Sequence, residues 1–187
     1  MMTSTTTWVI DPIHSDVQFK IKHLVISNVT GSFKKFEGSL VAKGDDFNNA
    51  KVNFTIDVKS IDTNQAQRDG HLQSGDFFSA DLYPQIIFES TSFVNIGGND
   101  YKMSGNLTLR GVTKPIELNV EYGGSEDNGH GILKHGFEVT GIVNRLEFGM
   151  TWNKLTDTGG LGLGVDIKLI ANIQVAELVE EKGYIKL

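Results

Sequence analysis

The residues of this sequence best suited to chemistry are its five histidines, His14, His23, His71, His130 and His135. None of them forms an HxH, HExxH or other ligand spacing, so we predict no metal site. His14, Ser15 and Asp16 are the residue types of a hydrolytic triad, but neighbours on a strand point to opposite faces. Asp69 and His71 remain as the acid–base pair that an enzyme would use. Because no further catalytic motif accompanies them, we expect a protein that is not an enzyme and needs no cofactor.

Composition narrows the function classes further. The 187 residues carry a net charge of -6, and the lysines and arginines are dispersed along the sequence. Nucleic acids and anionic membrane surfaces both attract clustered basic residues, so we expect neither as a partner. The chain has no cysteine, which excludes disulfides, thiolate metal sites and cysteine nucleophiles. Eleven phenylalanines indicate instead a large apolar interior.

The N-terminal sequence "MMTSTTTWVIDP" has neither the basic start nor the apolar run of a secretory signal. No segment approaches the roughly 20 apolar residues that span a bilayer. We therefore expect a cytoplasmic protein, or a periplasmic one if the chain is a mature form. We expect a single domain over residues 1–187, with a core at about residues 6–178 and a tail at residues 179–187.

Alternating apolar and polar residues dominate the chain and predict β-strands. In "SDVQFKIKHL", Val17, Phe19 and Ile21 point one way and the polar residues between them point the other way. The pattern recurs in about nine or ten segments, the last of them running through "GVDIKLIANIQVAEL". Such clean alternation is typical of antiparallel sheets with one face in water. The 21 glycines are suited to the bulges of a closed barrel, so we expect one β-barrel or sandwich.

One segment, "SIDTNQAQRDGHLQSGDFF", interrupts the alternation. Arg68, His71 and Leu72 have helical spacing, and Asp62 or Thr63 is the expected N-cap. The segment therefore predicts one short helix between two strands.

Four motifs occur in order along the chain: "WVIDPIHSDVQFKIKHLVISNVTGSF", "RDGHLQSGDFFSADLYPQIIFES", "GNLTLRGVTKPIEL" and "NRLEFGM". Together they resemble the signatures of the YceI-like, polyisoprenoid-binding family, from about Trp8 to Val175. The resemblance implies an all-β fold, an extended antiparallel eight-stranded lipocalin-like β-barrel with one short helix. It also implies a long-chain isoprenoid, polyprenyl or quinone-like, or a similar amphiphilic lipid, held inside the barrel. Members of the family are often dimeric, so a homodimer is a further expectation.

Within such a barrel we expect a set of mostly aromatic residues to contact the lipid tail: Phe19, Ile21, Phe54, Phe77, Phe78, Leu82, Tyr83, Phe88, Met103, Phe148 and Met150. Arg68 and His71 are predicted to offer donors to a polar head, such as a pyrophosphate or a quinone carbonyl. In the alternative interpretation, Arg68 and Asp69 pair with Asp76 or with the backbone and fix the helix to the barrel. We expect His14, Ser15 and His23 to form a buried hydrogen-bonded cluster.

The sequence leaves three functions open. The first is a protein that binds and sequesters or shuttles the lipid. The second is an enzyme acting on a buried lipid, with Asp69, His71 or Arg145 as acid–base groups. The third is a stress-related scaffold with a filled core and no ligand. The presence or absence of a cavity separates the first function from the third, because a lumen filled by phenyl rings cannot hold a tail.

Overall fold

The computed structural model describes residues 4–24 and 26–179, so residues 180–187 of the predicted tail lie outside the described part. The described residues form strands β1 (Thr5–Ile10), β2 (Asp16–His23), β3 (Ser27–Phe33), β4 (Phe36–Lys43), β5 (Asp46–Asp57), β6 (Ile61–Asp62), β7 (Gln85–Gly97), β8 (Asp100–Leu109), β9 (Val112–Asp127), β10 (Leu133–Asn144) and β11 (Leu163–Glu177). The helix α1 is Ala66–Gln73, and two 3-10 turns span Val58–Ser60 and Arg145–Phe148.

Eight strands close into an antiparallel barrel in the order β1, β4, β5, β7, β8, β9, β10 and β11. The barrel closes where β11 pairs with β1, from Trp8 opposite Glu177 to Ile10 opposite Val175. Strand β11 is long enough to pair with β2 as well, and β2, β3 and β6 extend the sheet beyond the closed ring. The predicted all-β, eight-stranded barrel with one short helix is therefore confirmed.

The structure adds one strand that the alternation did not predict, and a corner that removes His14 from the strand on which it was placed. A corner at residues 11–15 separates β1 from β2, and residues 34–35 separate β3 from β4. Strand β3, "SNVTGSF", was not predicted at all, because it has few large apolar residues. It is a strand because Ser27–Phe33 pairs with β2 throughout, and such pairing outweighs weak intrinsic β-propensity.

Helix α1 was expected, but its predicted N-cap is wrong. The N-cap residue is Gln65, whose side chain makes no capping bond. Asp62 instead accepts a hydrogen bond from the Asn64 backbone N–H, which closes a turn before the helix. None of the residues of α1 is fully buried. Within the described residues, no helix has the length and apolar character needed to cross a membrane.

One end of the barrel is closed by a cluster of rings. The Trp8 ring lies 4.5 Å from that of His135, and the Phe47 ring lies 5.0 Å from His135 and 5.1 Å from Phe137. The Tyr122 hydroxyl is 2.8 Å from His135 Nδ1. Burial lowers the pKa of His135, which favours the neutral imidazole among these rings. We call this group of five residues the aromatic plug.

A buried ion pair lies beside the aromatic plug. Lys134 Nζ donates to Asp11 Oδ2 at 2.6 Å, and both side chains are almost completely buried. His14 Nδ1 is 2.7 Å from the same carboxylate oxygen, and the Ile13 backbone N–H donates to Asp11 Oδ1. Burial alone would raise the pKa of the Asp11 carboxyl, but these hydrogen bonds outweigh it and lower the pKa from 3.8 to about 2. The pair ties the corner after β1 to the start of β10.

Replacement of Asp11 by Asn should therefore destabilise the fold. A pKa difference of one unit corresponds to about 1.36 kcal/mol, and Lys134 would stay buried without its counter-charge, so we expect a loss of at least about 2 kcal/mol at neutral pH. The folded-state pKa of Asp11 lies below its ordinary value of 3.8, so the contribution is present above that pH and disappears as the pH falls toward 2. Urea unfolding across this pH range measures both effects.

The matched control is Asp81→Asn. Asp81 also pairs with a lysine, Lys59 at 2.7 Å, but its side chain is 90% exposed. A solvent-exposed pair contributes little, so this variant should unfold like the parent protein. Equal losses in the two variants would show that burial of Asp11 has no special effect.

Candidate functional site

A cavity of about 390 Å³ occupies the interior of the barrel. Its walls are formed mainly by apolar side chains from β2 and from the strands between β5 and β11. This volume lies within the roughly 300–1,000 Å³ typical of small-molecule sites. The lumen is therefore not filled by phenyl rings, and the filled core assumed for the scaffold is wrong.

Large side chains along the wall lie over glycines of the neighbouring strand. Four pairs share this arrangement: Phe19 over Gly31, Phe54 over Gly38, Phe88 over Gly105 and Leu118 over Gly141. A Cβ atom built on Gly31 would lie 2.6 Å from Phe19 Cε1 and 2.9 Å from Thr63 Cγ2. The ring can lie flat against the wall only because Gly31 has no side chain. We call these four the glycine-backed pairs.

Eight of the eleven residues predicted to contact a lipid tail line the cavity: Phe19, Ile21, Phe54, Phe77, Phe78, Phe88, Met103 and Met150. Phe77 and Phe78 reach the interior from the segment after α1, where both are buried. Aromatic residues follow the charged helix because these two rings face the lumen, whereas the charged side chains of α1 lie at the edge of the lumen.

The other three predicted tail contacts, Leu82, Tyr83 and Phe148, do not line the cavity. Leu82 is 74% exposed on the outer surface. Tyr83 packs over Gly111, which has a left-handed backbone in the turn between β8 and β9. Phe148 is buried in the second 3-10 turn, outside the lumen. These three side chains therefore lie away from the cavity, and their predicted contact with a tail gains no support from the geometry.

Sequence reasoning missed the contribution of β11 to the site. Leu169, Ala171 and Ile173 all line the cavity, as does Trp152 from the loop before this strand. The alternation within β11 was visible and would have placed its apolar residues on the inner face. Trp152 lies in an irregular loop, where no periodic signal exists.

Thr63 fixes α1 to the barrel through two neighbours. Arg68 donates to Thr63 twice, from Nε to the hydroxyl at 2.8 Å and from Nη2 to the carbonyl at 2.7 Å. Asp69 Oδ1 accepts from both the backbone N–H and the hydroxyl of Thr63, which is only 4% exposed. Arg68 also lines the cavity, and its Nη1 group has no hydrogen-bond partner among the described residues. Arg68 and Asp69 therefore anchor the helix to the barrel through Thr63, as the alternative interpretation expected. The Arg68 Nη1 group is still available to a ligand.

His71 marks the place where the cavity reaches solvent, because it lines the cavity and its side chain is 39% exposed. Its Nε2 lies 2.8 Å from Asp76 Oδ2, and its ring packs 4.8 Å from Trp152 and 5.1 Å from Phe77. Together with Arg68 and His23, which are half-buried and also line the cavity, His71 frames a polar rim. We call this rim the mouth.

The structure does not join Asp69 and His71 into an acid–base pair. The Asp69 carboxylate is occupied by Thr63, and the His71 imidazole by Asp76. The pairing of Asp69 with His71 that the enzymatic alternative named is therefore not formed. Over residues 4–24 and 26–179, no three histidine, aspartate or glutamate side chains converge as metal ligands.

Arg145, the third candidate acid–base group, organises the loop beside the mouth. It is 1% exposed, and its guanidinium donates to the carbonyls of Gly164 at 2.7 Å, Met150 at 2.5 Å and Trp152 at 2.8 Å. Burial lowers the pKa of this guanidinium, and the surrounding carbonyls stabilise its charge without a carboxylate. Arg145 therefore holds Trp152 in place against the start of β11.

The predicted buried cluster of His14, Ser15 and His23 is not formed. The His14 side chain is 59% exposed and contacts Asp11. The Ser15 hydroxyl exchanges hydrogen bonds with the Gln174 backbone, and His23 lies at the mouth. The reason is the corner between β1 and β2, which removes His14 from the strand on which inward orientation was assumed.

Comparisons with known proteins agree with this architecture. A family model described as a YceI-like domain matches residues 8–175. A UPF0312 protein of Staphylococcus aureus is 38% identical over 170 residues, which cover 90% of this chain and 96% of that protein. The Campylobacter jejuni YceI protein is 35% identical with a TM-score of 0.72, over 86% of this chain and 91% of that chain.

Two solved structures of lower sequence identity share the fold. Burkholderia cenocepacia BcnA is 24% identical with a TM-score of 0.75, over 88% of this chain and 98% of that chain. A polyisoprenoid binding domain from Saccharophagus degradans is 15% identical with a TM-score of 0.67, over 92% and 99% of the two chains. At these identities the likeness concerns the barrel alone.

The glycine-backed pairs predict the effect of adding a single methyl group. In Gly31→Ala the new Cβ meets only side-chain atoms, so the Phe19 ring must leave the wall and move toward the lumen. We expect a loss of about 1–3 kcal/mol in unfolding free energy, as for other overpacked sites. Gly31 is not among the residues with left-handed backbone, so a strained φ does not contribute.

A double-mutant cycle with Phe19→Leu checks this cause. Leucine lacks the ring atoms that the new methyl group meets, so Gly31→Ala should cost much less in the Phe19→Leu background. Strictly additive losses in urea unfolding would show that the ring does not depend on Gly31.

Proposed function

The chain belongs to the YceI-like family, and from the hollow interior of its barrel we propose that it binds an isoprenoid of the polyprenyl or quinone type, or a similar lipid with a long apolar tail. The tail lies in the cavity and the polar head lies at the mouth. The protein sequesters this lipid or shuttles it between lipid phases. A polyisoprenoid binding domain with the same fold supports the choice of an isoprenoid.

The observation that carries the proposal is the apolar cavity of about 390 Å³. Apolar cavities in proteins stay dry, and their walls lack the contacts that close packing would supply. A hydrocarbon chain restores those contacts without needing a hydrogen bond. A polar substrate would instead lose its hydration against walls that offer few donors or acceptors.

The mouth suits a head group that accepts hydrogen bonds. Arg68 presents a free Nη1 group beside the cavity, and the partly exposed His71 lies next to it. The rings of Phe77 and Trp152 lie 5.3 Å apart at the same place and supply an apolar surface beside these donors. The head therefore meets polar groups where the tail enters the apolar interior.

The energetics of such a complex favour exchange over permanent storage. Each buried CH₂ contributes about 0.8 kcal/mol, so one five-carbon unit contributes roughly 4 kcal/mol before any cost. Membranes solvate the same tail equally well, and ordering of the chain opposes binding. Transfer between bilayer and barrel is consequently near balance, which a carrier requires.

A variant that fills the lumen tests the proposal. Ala171 lines the cavity, and Ala171→Phe places a ring in the space that the tail would occupy. We expect at least a tenfold loss of bound lipid, measured by native mass spectrometry and by extraction of the purified protein, with a smaller loss for Ala171→Leu.

The matched control is Asn172→Phe, because Asn172 is the next residue of β11 and is exposed on the outer face. This variant adds the same ring and should keep its lipid. Full lipid occupancy in a folded Ala171→Phe protein would contradict a tail in the barrel.

The head-group contact is tested by Arg68→Met. A hydrogen bond from a charged group is worth about 1.5–3 kcal/mol, which predicts roughly a ten- to hundredfold weaker affinity for a polyprenyl diphosphate. The affinity for the matching neutral polyprenol should change less. Both are measured by titration in the same detergent.

Thr63→Val serves as the control, because it removes the hydroxyl that Arg68 and Asp69 share and keeps the Arg68 charge. If Thr63→Val weakens diphosphate binding as much as Arg68→Met does, Arg68 acts only by anchoring the helix.

A further inference from the structure

Two loop tips beside the mouth expose large apolar side chains. The turn between β2 and β3 carries Leu24, which is 52% exposed, and Ile26, which is 91% exposed. The loop before β11 carries Leu155 and Leu161, exposed to 68% and 54%, which face each other in an isolated antiparallel bridge. The Leu24 N–H donates to the Gly162 carbonyl at 2.9 Å and joins the two tips. We call Leu24, Ile26, Leu155 and Leu161 the tip surface.

The tip surface is continuous with the mouth. His23, which precedes Leu24, lines the cavity, and so does Leu163, which follows the loop carrying Leu161. His23 and Leu163 are also paired across β2 and β11. A contiguous apolar patch with a polar border marks an interaction site more often than scattered exposed residues do. Here that patch lies where an apolar ligand would enter.

Exposed lysines surround the tip surface: Lys20, Lys22, Lys154 and Lys168. Lys20 lies directly opposite Lys168 across β2 and β11, although the two are far apart in the sequence. None of the four forms an ion pair with another described residue. Asp157 and Asp166 are the acidic residues beside these lysines, and Asp69 and Asp76 lie across the mouth on the side of α1. The four lysines therefore form a basic cluster on the side of β2 and β11, in contrast to the net charge of -6 of the whole chain.

The spacing of these groups matches the depth of a membrane interface. A strand rises about 3.3 Å per residue, which places Lys22 about 7 Å and Lys20 about 13 Å behind Leu24. Apolar groups of interfacial proteins bury themselves about 5–10 Å, to the boundary between headgroups and acyl chains. With the tips inserted, Lys22 and Lys154 reach the level of the lipid phosphates.

We propose that the tip surface docks on the surface of a bilayer that contains anionic lipids, with the four lysines against the headgroups. The partner follows from both features, since the tips need an apolar phase and the lysines need negative charge. One consequence rests on the proposed function. In the docked protein the mouth opens toward the acyl chains, so that a lipid tail passes into the barrel without crossing water. The proposal also revises the expectation drawn from net charge, because folding gathers lysines that are dispersed in the sequence.

The experiment is co-sedimentation of the full chain with vesicles of phosphatidylcholine, with and without 30% phosphatidylglycerol, a fraction set at roughly the anionic content of natural membranes. We expect binding to the mixed vesicles that weakens with added salt, and at least tenfold weaker binding to phosphatidylcholine alone. Ile26→Ser with Leu155→Ser should reduce binding to mixed vesicles at least tenfold. Lys22→Glu with Lys154→Glu should abolish the preference for mixed vesicles.

The matched control is Ile13→Ser, which removes a side chain that is 77% exposed on the corner between β1 and β2. This corner lies more than about 20 Å from the tips, since the paired stretch of β2 from Asp16 to His23 separates them at about 3.3 Å per residue. The control should bind vesicles like the parent protein. Equal losses in this control and the tip variant would overturn the proposal, as would absence of vesicle binding in the parent protein.

Two further readouts separate this proposal from others. If the tip variant changes a dimer into a monomer in light scattering and leaves vesicle binding unchanged, a second copy covers the tips and membrane docking is refuted. Lipid content by native mass spectrometry distinguishes the two proposals. A protein that retains lipid but ignores vesicles refutes docking alone, whereas one that binds vesicles but never holds lipid refutes the proposed function and leaves docking supported.

Discussion

The structure depends on keeping a barrel hollow while its inner face is rich in phenyl rings. The glycine-backed pairs meet this requirement, because each large side chain lies against the wall over a glycine of the next strand. A glycine weakens an isolated strand, and a ring packed across it offsets that loss. Without Gly31 and its equivalents, the rings would turn inward and fill the lumen. The arrangement leaves wall atoms without contacts on one side, and a bound hydrocarbon would supply those contacts and stabilise the fold.

The two ends of the barrel differ in how the described residues close them. At the closed end, the rings of the aromatic plug pack together beside the buried ion pair of Asp11 and Lys134. At the other end, α1 has no fully buried residue and is held mainly through Thr63. Segments with few buried apolar contacts open at low free energy. We therefore expect the motions that admit a ligand to occur at the mouth.

Much of the barrel could be predicted from the sequence, because period-two alternation records which side of a strand meets the core. It correctly indicated β2 and β11, and the residues expected to meet a lipid tail include Phe19, Phe54 and Phe88, which line the cavity. The inward placement of His14 was wrong, since the corner between β1 and β2 depends on hydrogen bonds made by Asp11 and on the pairing of both strands with β11. The exposure of His14 follows from that corner.

The cluster of lysines beside the mouth is likewise not visible in the composition of the chain. The lysines are far apart in the sequence, but antiparallel pairing places Lys20 directly opposite Lys168. A backbone hydrogen bond likewise joins the β2–β3 turn to the loop before β11. Electrostatic attraction to a surface depends on charges within about one Debye length, roughly 8–10 Å at physiological ionic strength, and not on the net charge of the molecule. A protein with net charge -6 can therefore present one cationic cluster and repel an anionic surface with its remaining faces. Such a charge distribution orients the barrel as it approaches a membrane, so that the mouth arrives first.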